Sequence, residues 1–243
     1  MEPVEEVEYL ALLFGINDYQ GTGSDLRGCI NDINDVETKL KREFPRFVIR
    51  KFTDSQVTTT LMVKEIEEAL AKTQKVLYIH YSGHGTTIGT QEALYLYNGP
   101  LMDSVFCDLQ NKTPDYLHVI AKFDSCYSGG MDDRKNNPRY IRSRYFPIPG
   151  MKAQRKAITH VGRADVQKWV IFSGCGESQT SADAFFGGRA NGAFTFFDLR
   201  SFISSSTYTK EYNKLRTYLP DMDFDQIPEL TGNAQLFDIP VLS

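Results

Sequence analysis

The stretch AKFDSCYSGG (121–130) closes an apolar run with a carboxylate, Asp124, a hydroxyl, Ser125, and a thiol, Cys126, before Ser128, Gly129 and Gly130. A core strand has no use for a carboxylate two residues ahead of a thiol. A second stretch, YIHYSGHG (78–85), sets His84 between Gly83 and Gly85 just past another apolar run. A thiol beside an imidazole is an activated nucleophile: the ring supports the thiolate and later protonates a leaving amine. Gly85 has no side chain to block approach, so its N–H and that of Cys126 could hold a developing oxyanion. Taken singly, each residue has a plainer reading, since a cysteine at a strand end is usually a small buried hydrophobe. Two successive strand ends, each carrying a reactive side chain among glycines, favour catalysis.

The elements that must position these groups alternate between two periods. Residues 8–16, 47–53, 75–83, 117–125 and 168–174 are short, rich in β-branched or aromatic residues, and end at or beside Gly, Ser or Asp, as strands do. Residues 25–41 repeat Ile30, Ile33, Val36 and Leu40 at helical spacing, and 59–72 do so with Leu61, Ile66, Ala69 and Leu70. Further helices are expected over 192–203 and 210–219, and a last edge strand over 234–242. A helix is expected between the strands that carry His84 and Cys126, which would let those strands pair. The alternation predicts an α/β fold, a three-layer α/β/α sandwich around a mostly parallel sheet. Ligands of such sheets sit at the carboxyl ends of the strands, where His84 and Cys126 fall.

The 243 residues suit a single domain, and the composition, 41% apolar and 24% charged, is that of a globular chain. No apolar run approaches bilayer length, and the acidic start MEPVEEVEY does not read as a secretory signal. Four cysteines without a CxxC pair read as reduced thiols, which places the protein in the cytoplasm. The net charge of −4 speaks against a general nucleic-acid binder. It conceals a basic segment: residues 131–165 hold nine Lys/Arg and three Asp, or +6, leaving −10 for the remainder. Such a segment within an acidic body is either a solvated loop or something the body itself binds.

The blocks HYSGHG and DSCYSGG resemble the His and Cys blocks of the caspase-like cysteine peptidases, in particular the metacaspase and paracaspase branch. Three further blocks agree in the same order: LLFGINDY…LRGCINDINDV, FSGCGESQTSAD, and GAFT opening the late helix. The resemblance implies Cys126 as nucleophile, His84 as general base and acid, and the backbone of Gly85 and Cys126 as oxyanion hole. It also places Asp124 in the specificity pocket, on the strand face shared with Cys126, where classical caspases have glutamine. Asp32 of the GCIND block adds a second carboxylate, with Cys29 and Ser82 as pocket wall, and Asp183 and Glu177 as further candidates. Acids crowded in a partly desolvated pocket repel one another unless a cation arrives, so the implied substrate is a peptide with Arg or Lys at the cleaved bond. The backbone of 180–182 is expected to pair with that peptide as an added strand.

If the pocket takes Arg or Lys, the basic segment offers cleavable bonds in DRKNNPRYIRSRYF and AQRKAITH, and self-processing stands beside the solvated loop as an alternative. No cofactor is expected to be required. Many metacaspases bind calcium through acids following the His; here Asp103 and Asp132 or Asp133 remain, while Gln91 and Ser104 replace two others, and Ca²⁺ wants several carboxylates. His80 and His84 do not share a helix face, so zinc is not expected and His80 reads as core. GTGSDLRG lacks the Lys-Ser/Thr ending of a phosphate loop. The expected activity is an endopeptidase acting as a monomer; a catalytically silent signalling scaffold and an acyl transferase or ligase with the same dyad are the rivals.

Overall fold

The computed structural model describes residues 6–126, 142–148, 168–175, 181–221, 224 and 226–243. Its centre is a six-stranded sheet made of β1 (Val7–Gly15), β2 (Val48–Thr53), β3 (Thr73–Ser82), β7 (His118–Asp124), β9 (Trp169–Ser173) and β12 (Glu229–Gly232). The spatial order is β12-β9-β7-β3-β1-β2, and all neighbours are parallel except β12, which runs antiparallel to β9. The strands are apolar on both sides because both faces are covered. Leu10, Leu12 and Phe14 of β1 face the layer of α2 (Thr59–Lys72) and α3 (Asp103–Lys112), while Tyr9, Ala11 and Leu13 face that of α1 (Cys29–Glu43), α4 (Ala193–Ser201) and α5 (Tyr208–Asp221). The three-layer architecture expected from the sequence is the one observed.

A buried cation interrupts this pattern. Lys122 of β7 is buried beneath α4 and α5, where its ammonium bonds both carboxylate oxygens of Asp198 at 2.9 Å and also Glu211. A buried charge persists only when paired, so this triad fixes both helices to β7 two residues before Asp124.

Two expectations change, and a further small sheet is added. β3 and β7 do pair, but the connection holds more than a helix: β4 (His84–Ile88), β5 (Gln91–Leu96) and β6 (Gly99–Met102) form a small antiparallel sheet ahead of α3. The edge strand lies at β12 instead of 234–242; Asn233 caps a short 3-10 turn over Ala234–Leu236 that breaks the apolar run before it can extend. A second small sheet joins β10 (Ala182–Phe186), β11 (Arg189–Gly192) and β8 (Arg142–Ser143). Its hairpin turns at Gly187 and Gly188, with φ of +60° and +85°, backbone angles that glycine adopts without strain.

Candidate active site

Parallel strands β3 and β7 end side by side, with Ser82 opposite Asp124 in register. The chain leaves β3 through Gly83 into His84 and leaves β7 through Ser125 into Cys126, so the two expected catalytic residues emerge from adjacent strand ends. β7 stops at Asp124, so strand alternation does not set the relation of Asp124 to Cys126. Ser181 sets it instead: its hydroxyl donates to Asp124 Oδ1 at 2.6 Å and its amide donates to Cys126 Sγ at 2.6 Å.

His84 is buried, and its backbone amide donates to the Tyr19 hydroxyl at 2.7 Å. Ring Nε2 lies 2.6 Å from the Ser24 carbonyl, which can only accept, so Nε2 carries the proton and the lone pair sits on Nδ1. Nδ1 makes no hydrogen bond among the described residues. Burial pushes the imidazole below its ordinary pKa, with the Ser24 carbonyl pulling the other way. Cys126 is fully buried; its thiol donates to the Ser181 carbonyl at 3.2 Å, and burial, with the Cys175 thiol second, pushes its pKa well up. Thiol and imidazole are therefore not hydrogen-bonded to each other here; each is held by backbone.

What lies between them is Arg144. Its carbonyl oxygen accepts from the Gly85 amide at 2.8 Å and from the Cys126 amide at 3.4 Å, the two donors expected to hold an oxyanion. Gly85 has to be glycine: a Cβ there would fall 2.1 Å from the Cys126 carbonyl oxygen. The Arg144 amide donates to the Ser181 carbonyl at 3.1 Å, and β8 continues the contact by pairing antiparallel with Ala182 and Asp183. The strand addition expected at 180–182 is made at Ser181 and Ala182 by the chain's own segment; Thr180 lies outside the described residues.

The Arg144 side chain is fully buried in the acidic pocket. One terminal nitrogen bonds Asp32 Oδ2 at 2.7 Å and Asp183 Oδ1 at 3.1 Å; the other bonds the Ser82 hydroxyl at 2.6 Å and faces Asp124 Oδ2 at 3.2 Å. The carboxylates are themselves anchored. Asp124 Oδ2 accepts from the amide and hydroxyl of Thr195 in the first turn of α4. Asp183 accepts from the amides of Arg27 and Gly28 ahead of α1, and Asp32 from Gly192 and Asn191. Helix amino ends suit anions, so α1 and α4 both aim at this pocket. Three carboxylates around one cation leave an excess of negative charge. Burial foremost, with the Asp124 anion adding and Arg144 opposing, raises Asp32 to about 7. Gly192 leaves room for the guanidinium, since a Cβ there would lie 2.6 Å from its central carbon. Cys29 is buried beside Ser82, and burial raises its pKa.

The structure thus gathers Asp32, Asp124, Asp183, Ser82 and Cys29 around one pocket, with Gly85, His84 and Cys126 at its mouth. Glu177 lies outside the described residues. Sequence reasoning missed Arg144 as occupant, Ser181, Asn191, Gly192 and Thr195 as supports, and Tyr19 and Ser24 behind His84. The only signal for these was the family blocks in which several of them sit. His80 is core as expected, stacked on Tyr78 and pushed down by burial to about 4.

A calcium site is not assembled by the described residues. Asp103 opens α3 with Oδ1 buried and without a hydrogen bond, but Gln91 and Ser104 bring no charge, and no group of three metal-binding side chains occurs among the described residues. Asp132 and Asp133 lie outside them.

Comparison with known proteins identifies the family. The sequence matches the caspase-domain family over residues 8–237. It is 28% identical to Metacaspase-1 of Lodderomyces elongisporus over 92% of this chain and 64% of that protein. It is 27% identical to Metacaspase-5 of Trypanosoma cruzi over 92% of this chain and 57% of that protein. The chain thus spans roughly six tenths of the length of these relatives. Among solved structures, GSU0716 of Geobacter sulfurreducens aligns over 97% of this chain and 98% of its own, with a TM-score of 0.73 at 21% identity, which bears on fold. No helix among the described residues is long and apolar enough to cross a membrane. By sequence match over nearly its whole length, and with the expected α/β sandwich beneath it, the chain belongs to the caspase-domain family.

Proposed function

We propose that this protein is a cysteine endopeptidase that cleaves after Arg, and less readily after Lys, and that its own Arg144–Tyr145 bond is a substrate. One observation carries the reading: Arg144 offers its carbonyl to the Gly85 and Cys126 amides while its guanidinium lies among Asp32, Asp124 and Asp183. A guanidinium in a dry pocket needs paired, planar recognition, and carboxylates set on both terminal nitrogens supply it.

For the reaction, the Cys126 sulfur leaves Ser181, passes its proton to His84 Nδ1, and attacks the Arg144 carbonyl carbon. The oxygen becomes an anion between the two amides. As it collapses, the C–N bond breaks and His84 returns the proton to the Tyr145 nitrogen, which departs as an amine. Water, deprotonated by His84, then splits the thioester and regenerates the thiol. Buried as it is, the thiol starts neutral, and activation requires its turn away from the Ser181 carbonyl. While Arg144 is seated, the same contacts shut out other substrates.

A nucleophile that must remain a thiol suits a reducing, cytoplasmic setting.

The test is turnover of an Arg-based fluorogenic peptide by wild type and Cys126→Ala. Turnover by wild type alone is the expected result; equal turnover by both removes the peptidase reading. Mass spectrometry of the product, carboxylate against amide, separates a hydrolase from an acyl transferase.

A further inference from the structure

The segment past Arg144 is held as firmly as the residues before it. Tyr145 bridges to Gly85 in parallel fashion, the Phe146 amide donates to the Gly85 carbonyl at 2.8 Å, and the Thr86 hydroxyl donates to the Phe146 carbonyl at 2.8 Å. The Phe146 side chain is only 6% exposed. Its ring stacks on Tyr95 with centroids 3.7 Å apart and planes at 8°, meets the edge of His84 at 5.7 Å, and lies 6.1 Å from Tyr19.

We propose that Tyr19, Tyr95, Thr86 and the flank of His84 form a second specificity pocket, on the leaving side of the cleaved bond, which takes an aromatic side chain two residues beyond the Arg. The proposal rests on the peptidase reading above and names a further feature of the substrate. Backbone bonds to Gly85 and Thr86 fix the register of the leaving strand, and register decides which side chain enters the pocket. Stacking, burial and an edge contact to the catalytic imidazole make that side chain an aromatic one.

The basic segment is consistent with such a filter. Of the nine Lys/Arg between 131 and 165, Arg144 alone has an aromatic residue two positions downstream: the others are followed there by Asn136, Asn137, Ile141, Arg144, Gln154, Ala157, Ile158 and Asp165. An acidic pocket by itself would set the six arginines above the three lysines but would not rank the six among themselves. The aromatic pocket ranks them, and selects the one bond found seated.

The test uses the wild-type protein, incubated until intact-mass measurement shows its own Arg144–Tyr145 bond cut and the site free, and two internally quenched peptides of one sequence, with Arg-Tyr-Phe or Arg-Tyr-Ala at the cleaved bond, beside an Arg-aminocoumarin peptide that has nothing past the Arg. The Phe peptide is expected to show kcat/KM at least about tenfold above the Ala peptide, from the size of aromatic pair and burial effects. In Tyr95→Leu that ratio is expected to fall several-fold towards one, a readout that general loss of activity does not move. Equal kcat/KM for the two quenched peptides, with the aminocoumarin peptide still cleaved, overturns the pocket and leaves the peptidase reading intact. No turnover of any of the three overturns both.

Discussion

The carbonyl oxygen of Arg144 accepts a 2.8 Å hydrogen bond from the amide of Gly85, in the position where an acyl-transfer enzyme stabilises negative charge. On the proposed reading, the chain presents a peptide bond to its own Cys126 and His84, held on both sides. Each consequence can be measured.

Self-cleavage should give one pair of products. Intact-mass measurement of purified wild type is expected to show fragments ending at Arg144 and beginning at Tyr145. Cys126→Ala should remain whole, and His84→Ala should slow cleavage by about 10² to 10⁴, the usual contribution of a positioned acid and base. A nick after Arg142 or Arg155 as the main product would contradict the seating described above.

Pocket acids should control charge preference. Asp183→Asn is expected to lower kcat/KM for Arg peptides by on the order of 10² to 10³, the cost of breaking a buried ion pair. Wild type should prefer Arg over Lys, because the two terminal nitrogens of Arg144 engage different partners and a single ammonium cannot reach both sets. Peptides differing only at that residue provide the comparison.

Gly85→Ala should damage turnover more than binding. The added Cβ would press on the Cys126 carbonyl and displace both oxyanion donors. A loss of about 10² to 10³ in kcat is expected, with KM for a short Arg peptide changed little. A melting curve close to that of wild type would show that the fold survives.

Stability should fall as pH rises through 7. Asp32 has its pKa raised to about 7 by burial, against an ordinary 3.8 once unfolded. The native state therefore holds a proton that the unfolded state releases, and the stabilisation, complete below the unfolded pKa, is lost as pH climbs through the folded one. Between pH 6 and 8 the loss from this group is on the order of 1 kcal/mol. Urea unfolding of Cys126→Ala, which keeps the chain intact, should show that decline. Asp32→Asn in the same background should flatten it.

The sequence made the strands, His84 and Cys126 visible because each depends on local pattern, apolar runs with reactive side chains and glycines at their ends; the acids Asp32 and Asp124 came from the family resemblance. The strand read over 234–242 went astray because its apolar residues pack from turns beside Asn233, while the modest Glu229–Gly232 finds a ladder on β9. The hairpins β4–β5 and β10–β11 were written in Gly89 and in Gly187–Gly188, but their strands are too short for periodicity to register. Arg144 was the least legible. Nine basic residues in the segment look alike until pocket, backbone ladder and aromatic neighbour are superimposed on one of them. The acids around it read as substrate contacts; that they are already occupied is a property of tertiary structure.

The position of Arg144 between β7 and β9 carries a last implication. Those strands are adjacent in the central sheet, paired from Val119 with Trp169 to Phe123 with Ser173. Severing the chain at Arg144 would cut a covalent tether yet break no rung of that ladder. Two polypeptides would then share one core, travelling together in native buffer and parting only in denaturant, so the scission would be invisible to any method that reports shape and plain to any that unfolds.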